Sequence, residues 1–163
     1  MRTMVLGLAI AAAAASFAQA QTTTPGTVIS ADAIAQARAL SETNKTLDRL
    51  VQGVAVPGGK VGVAVVRRDQ AETTALVHSN VTETYLITEG SGTIVTGGSL
   101  QNPVAADLSN LWIGPSLRGV PVGGEARDVG PNAVIVIPAG TPHHFSAVNG
   151  IIRYYVIRTE NVK

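Results

Sequence analysis

Apolar positions near the start of the chain keep one spacing, and those after it keep another. Ala33, Ala37, Leu40, Leu47 and Val51 recur with helical periodicity, which predicts one amphipathic helix over about 31–51, weakened near Thr43-Asn44. Ser30 is placed to cap it, with Asp32 in the first turn on the favourable side of the helix dipole. Beyond Val51 the period shortens. Apolar or alternating runs fall at 61–66, 73–78, 81–88, 92–96, 110–113, 126–129, 133–137, 143–148 and 151–158, most of them separated by Gly, Pro, Asn or Asp. Many short strands with frequent turn signals predict an all-β sandwich or barrel. The stretch 97–124, rich in Gly and Pro, is expected to be a long excursion around a short strand at Leu111-Trp112-Ile113.

The first 20 residues read differently again. Arg2, the apolar run Val5 to Ala15 and the small-x-small triplet Ala18-Gln19-Ala20 form a secretory signal peptide, with cleavage expected after Ala20. The expected organisation is a leader at 1–20, a loose mature N-terminus at 21–29, a helix at 30–52 and a β-domain at 53–163. The destination is the periplasm or the exterior. Loss of Arg2 takes the 12 basic residues to one fewer, against 11 acidic, so the mature chain is formally neutral. Met1 and Met4 leave with the leader and there is no cysteine, so the mature chain has no sulfur. That excludes disulfides, thiolate metal sites and cysteine catalysis. A neutral chain without a basic block carries no electrostatic footprint for nucleic acid. No later apolar stretch reaches the ~18 residues of a membrane span.

Candidate chemistry gathers at His78, Glu83 and His143. His78 ends one predicted strand and Glu83 begins the next, so both can face one interior, with Tyr85 on the face of Glu83. His143 follows the turn Pro138-Ala139-Gly140-Thr141-Pro142 at the start of another strand. Two imidazoles and a carboxylate suit Fe, Mn, Ni, Zn or Cu as a divalent ion and leave positions open for water or substrate. Glu83 also qualifies as a general base, and Tyr85 as a hydrogen-bond partner to substrate. His144 alternates to the opposite face, Trp112 is read as a packing anchor, and Phe145 is expected to narrow the pocket. Asn80 is a weak further oxygen donor. Among Arg67, Arg68, Arg118, Arg153 and Arg158, one facing inward would clamp a carboxylate, and the sequence leaves open which.

These residues resemble the two motifs of the cupin superfamily. His78-x4-Glu83-x6-Gly90 matches the second half of its first motif, G-x5-H-x-H-x3/4-E-x6-G. Pro138-x-Gly140-x2-His143 matches the middle of the second, G-x5-P-x-G-x2-H-x3-N. The resemblance covers roughly residues 60–158. It implies a double-stranded β-helix, or jelly-roll barrel, and a metal held by His78, Glu83 and His143. Leu76 stands where the family has its first histidine, so a four-ligand site is reduced to three; Asn132 and Ala147 also depart from the pattern. Dioxygenase chemistry is the first activity the resemblance implies, with isomerase or lyase chemistry behind it, and a homodimer is a common assembly. The alternative is a non-catalytic module that holds a small molecule or metal.

Overall fold

The computed structural model describes residues 25–161. The expected leader and the first residues after its cleavage point lie outside that range. Helix α1 spans Ala31–Asn44 and begins as expected: the Ser30 hydroxyl accepts from the Ala33 N–H at 3.2 Å, with Asp32 in the first turn. It ends sooner than the periodicity predicts. Lys45 takes a left-handed conformation (φ 48°), and Leu47 and Val51 leave the helix. Residues Asp48–Val56 form strand β1 instead, joined by Pro57-Gly58 to β2 (Gly59–Arg68). The apolar spacing that mimicked a helix is shared between two elements. The β-branched Val51, Val54 and Val56 lie on a strand that gains β2 as a partner, which a longer helix could not offer.

The remaining strands are β3 (Ala75–His78), β4 (Val81–Thr96), β5 (Ser99–Ala106), β6 (Ser116–Val122), β7 (Glu125–Val129), β8 (Val134–Ile137) and β9 (His143–Asn161). All pairings are antiparallel, and the path runs β1-β2-β9-β3-β6-β5, with β4 joining β7, β8 and β9. This is the expected all-β jelly roll with one helix, folded over without closing into a complete barrel. Two pairs of predicted runs fuse: 81–88 with 92–96 into β4, and 143–148 with 151–158 into β9. These long strands pair with each other along most of their length, with register shifts around Glu89–Ser91. Gly90 makes that bend. Its φ is +74°, and a Cβ there would lie 2.1 Å from the Ile151 carbonyl oxygen.

The 97–124 stretch is more ordered than its composition suggests. It is a β5–β6 hairpin whose connection carries a single 3-10 turn at Ser109–Leu111. No strand forms at 111–113, because Trp112 closes that turn with φ 61°. Pro103 is accommodated in the bulge between Gln101 and Val104, on a strand at the sheet edge, where a missing N–H costs least. Trp112 does serve as an anchor, lying against Gly53 of β1 with Lys60 over its ring at 5.4 Å.

The apolar core fills one end of the folded sheet. Ala64, Ile87, Ile94, Ile137, Phe145, Ile152, Tyr154 and Val156 are its most buried members. Phe145 belongs here, packed on Tyr154 at 5.7 Å between ring centroids, and does not narrow a pocket. At the other end the inward positions turn polar.

Gly90→Ala combines a left-handed backbone with a backbone collision. It is expected to lower stability by at least ~2 kcal/mol. Gly97→Ala, where φ is +84° but nothing lies within 4 Å, should cost only ~1 kcal/mol. Urea denaturation of the two variants measures the difference, and equal losses would contradict the role given to the Gly90 bend.

Candidate metal centre

Strand alternation decides which polar groups enter the polar end of the fold. On β9, Ile152, Tyr154, Val156 and Arg158 point inward, while Arg153, Tyr155 and Ile157 point outward. On β2, Val66 and Arg68 share the inward face, and Arg67 turns out to pair with Glu42 and Asp69. Of the candidate arginines, Arg158 and Arg68 are therefore the buried ones. Arg153 lies outside against Glu42 and Glu89.

Glu83 lies near the start of β4, directly across from Arg158 on β9 and from Ile137 on β8. His78 ends β3. His143 starts β9, and the Pro138–Thr141 turn sets its place. Thr141 N–H returns to the Pro138 carbonyl at 3.1 Å, and Gly140 takes φ +79°. The Gly140 N–H also donates to the His78 carbonyl at 2.8 Å. The turn that delivers one histidine is thus stapled to the backbone of the other. The three side chains converge as the sequence predicts, only 3%, 2% and 7% exposed for His78, Glu83 and His143.

Hydrogen bonds fix how the rings face. Ser116 Oγ donates to the Gly114 carbonyl at 2.9 Å, so toward His78 it acts as acceptor, and His78 Nδ1 donates to it at 2.8 Å. His143 Nδ1 donates to the Thr141 carbonyl at 3.0 Å. Each ring therefore turns Nε2 toward Glu83 Oε2, at 3.6 Å from His78 and 3.1 Å from His143. Ligating histidines characteristically have their second nitrogen held by an outer acceptor in this way. Two imidazole lone pairs facing one carboxylate oxygen repel unless a cation lies between them. That cation is either a proton on an imidazole or a metal ion. Potential ligand atoms of the three residues all lie within 4.8 Å of one another, so the group has the donors and spacing to hold one.

The carboxylate is held from both sides. Arg158 Nε donates to Glu83 Oε1 at 2.9 Å, and the Tyr85 hydroxyl donates to Oε2 at 2.7 Å. Arg158 also pairs with Asp48 of β1. Burial alone would push the Glu83 carboxyl upward, but His143, Arg158 and His78 outweigh it and hold the group far below the usual range. Burial likewise keeps the Tyr85 phenol protonated, well above its ordinary value, with Glu83 adding to the effect. His78 is lowered to about 4, by burial first and then by His143 and Arg158, against the pull of Glu83.

Around this centre lies a cavity of about 90 Å³. Leu76, Leu108, Leu111 and Ile113 form its apolar wall, while Arg68, Glu72, Arg118 and Tyr154 add polar groups. Arg68 is bonded to Glu72 and to the Tyr154 hydroxyl. Asp48, Glu72 and Ser116 also reach the centre or its cavity, and nothing local in the sequence marks them. The parity of Arg158 with Tyr154 and Val156 did carry a signal for it. Asn80 is exposed beyond the β3–β4 turn and takes no part, and His144 sits away from the cavity across from Val95.

No family model matches this chain, and no curated protein matches it either. Similar solved structures exist. The BH2720 protein of Bacillus halodurans superposes with a TM-score of 0.52 at 17% identity, covering 85% of this chain and 85% of that one. DMSP lyase DddQ from Ruegeria pomeroyi reaches 0.41 at 16% identity, over 63% of this chain and 40% of that one. An oxalate oxidase structure reaches 0.36 at 20% identity, over 62% and 42%. At 17% identity the likeness to BH2720 speaks to fold alone.

Proposed function

We propose that this protein is an exported jelly-roll protein that binds one divalent transition metal through His78, Glu83 and His143 and acts on a small molecule in the adjoining cavity. The observation that carries the reading is the convergence of both Nε2 atoms on Glu83 Oε2, each ring held from behind by an oxygen acceptor. A bound metal would supply Lewis-acid polarisation and, if redox-active, electron transfer with O2. The chain's own residues do the rest. Glu83 serves as the carboxylate ligand when metal is bound, and as a general base where the metal is absent or labile. Tyr85 and Arg158 fix its two oxygens, leaving one Oε2 lone pair for the metal. The 107–115 connection contributes Leu108, Leu111 and Ile113 to the apolar wall of the cavity. Oxygenation of a small organic substrate is the activity assigned, with isomerase or lyase chemistry behind it. A module that holds metal or ligand without turnover is the competing reading.

Protein purified without a histidine tag is expected to carry about one transition metal per chain, measured by elemental analysis. Ser116→Ala, which frees the His78 ring, should cost about 10–100-fold in metal affinity, and His143→Ala more than that. Unchanged affinity in both variants would contradict the assignment. Oxygen consumption by the Fe(II)-loaded protein, screened against catechols, thiols, diketones and hydroxy acids, separates an oxygenase from a holding module.

His78 supplies a pH prediction for the metal-free protein. Its native value of about 4 lies below the ordinary 6.5, so protonation opposes folding. That contribution is intact above about pH 6.5 and is lost as pH falls through about 4. An NMR titration of the ring nitrogens should find His78 still neutral at about pH 6. Titration at or above 6.5 would mean the ring is not buried as described.

A further inference from the structure

One inward row of residues extends the centre sideways. His143 on β9 pairs with Leu76 on β3, and Leu76 pairs with Arg118 on β6. Directly paired residues on adjacent strands share a face. Arg118 therefore stands on the same face as His143, two strands away, or ~10 Å across the sheet. Leu76 lies between them, at the position where the resemblance predicts a histidine. All three line the same cavity.

Arg118 differs from every other charged group there. Asp48 and Glu83 are paired with Arg158, and Glu72 with Arg68. Arg118 has no side-chain hydrogen bond or ion pair among the described residues, and it is exposed at the cavity mouth. Apart from the two imidazoles, three acidic and three basic groups line the cavity and cancel: Asp48, Glu72 and Glu83 against Arg68, Arg118 and Arg158. A divalent ion at the centre leaves a surplus of positive charge that an anionic ligand offsets.

We infer that the cavity takes a small aliphatic carboxylate, its carboxylate on Arg118, its apolar body over Leu76 and its other end at the His78–Glu83–His143 centre. This deepens the proposed function and rests on it for the role of that far end and for the charge surplus, while the unpartnered Arg118 stands without it. Replacement of the expected histidine by leucine then has a use: it turns a ligand position into a dry floor between anchor and metal. Arginine suits the anchor because its fork matches a carboxylate in two parallel hydrogen bonds.

The test is an NMR titration with pentanoate and with its neutral isostere pentanamide, on metal-free and Zn(II)-loaded protein. Wild type and Arg118→Gln are compared, with circular dichroism confirming the fold of the variant. Pentanoate should bind saturably, shifting resonances of Leu76 and His143. Arg118→Gln should weaken it at least tenfold, and pentanamide should bind at least tenfold more weakly than pentanoate to the wild type. Leu76→Trp, filling the floor, should abolish pentanoate binding while Zn(II) still binds. Equal affinity in the wild type and Arg118→Gln, or no saturable binding of pentanoate, overturns the anchor. If Zn(II) fails to bind but pentanoate still depends on Arg118, the metal reading fails and the anchor stands.

Discussion

A buried carboxylate governs the polar end of this protein. Glu83 is almost wholly removed from water, and an isolated charge in that position would cost several kcal/mol. It persists because both oxygens are held, Arg158 donating to one and Tyr85 to the other, with the His78 and His143 Nε2 atoms turned toward it to share a cation. Those partners come from β3, β4 and β9, and Arg158 ties in β1 through Asp48. The register of four strands is therefore linked to one ionised group. A slip of one residue in β9 would turn Arg158 outward and leave Glu83 unpaired.

The same arrangement explains why the site lies at one end of the fold. Alternation carries apolar side chains inward along β2, β4 and β9, from Ile87 and Ile152 through Tyr154 and Val156, and then changes character at Glu83 and Arg158. The bend at Gly90 lets β4 and β9 keep pairing while the sheet folds over this core. The Pro138–Thr141 turn then returns the chain so that His143 meets His78. Rigidity of the site follows from main-chain bonds, and the side chains inherit it.

Much of this was legible in the sequence because the decisive residues are local to strand ends and turns. His78, Glu83 and His143 sit beside turn residues whose spacing fixes where each strand begins, and Gly90 and Gly140 occupy positions a side chain would strain. Three features were not legible. Helical spacing continued past Asn44 by coincidence of Leu47 and Val51, and only the partner strand β2 reveals that 48–56 is extended. The β5–β6 hairpin was hidden because β5, at the sheet edge, needs few apolar residues, and Pro103 and Pro121 mimic a loop. Long-range partners such as Asp48 and Ser116 were beyond reach, since they meet the site only through tertiary pairing.

The most direct test of the account is anomalous diffraction at the metal absorption edge from crystals of the untagged, natively purified protein. The account predicts one peak per chain, at about 2.0–2.2 Å from Nε2 of His78, Nε2 of His143 and Oε2 of Glu83. A fully occupied chain with no peak there, and with His143 hydrogen-bonded directly to Glu83, would contradict it.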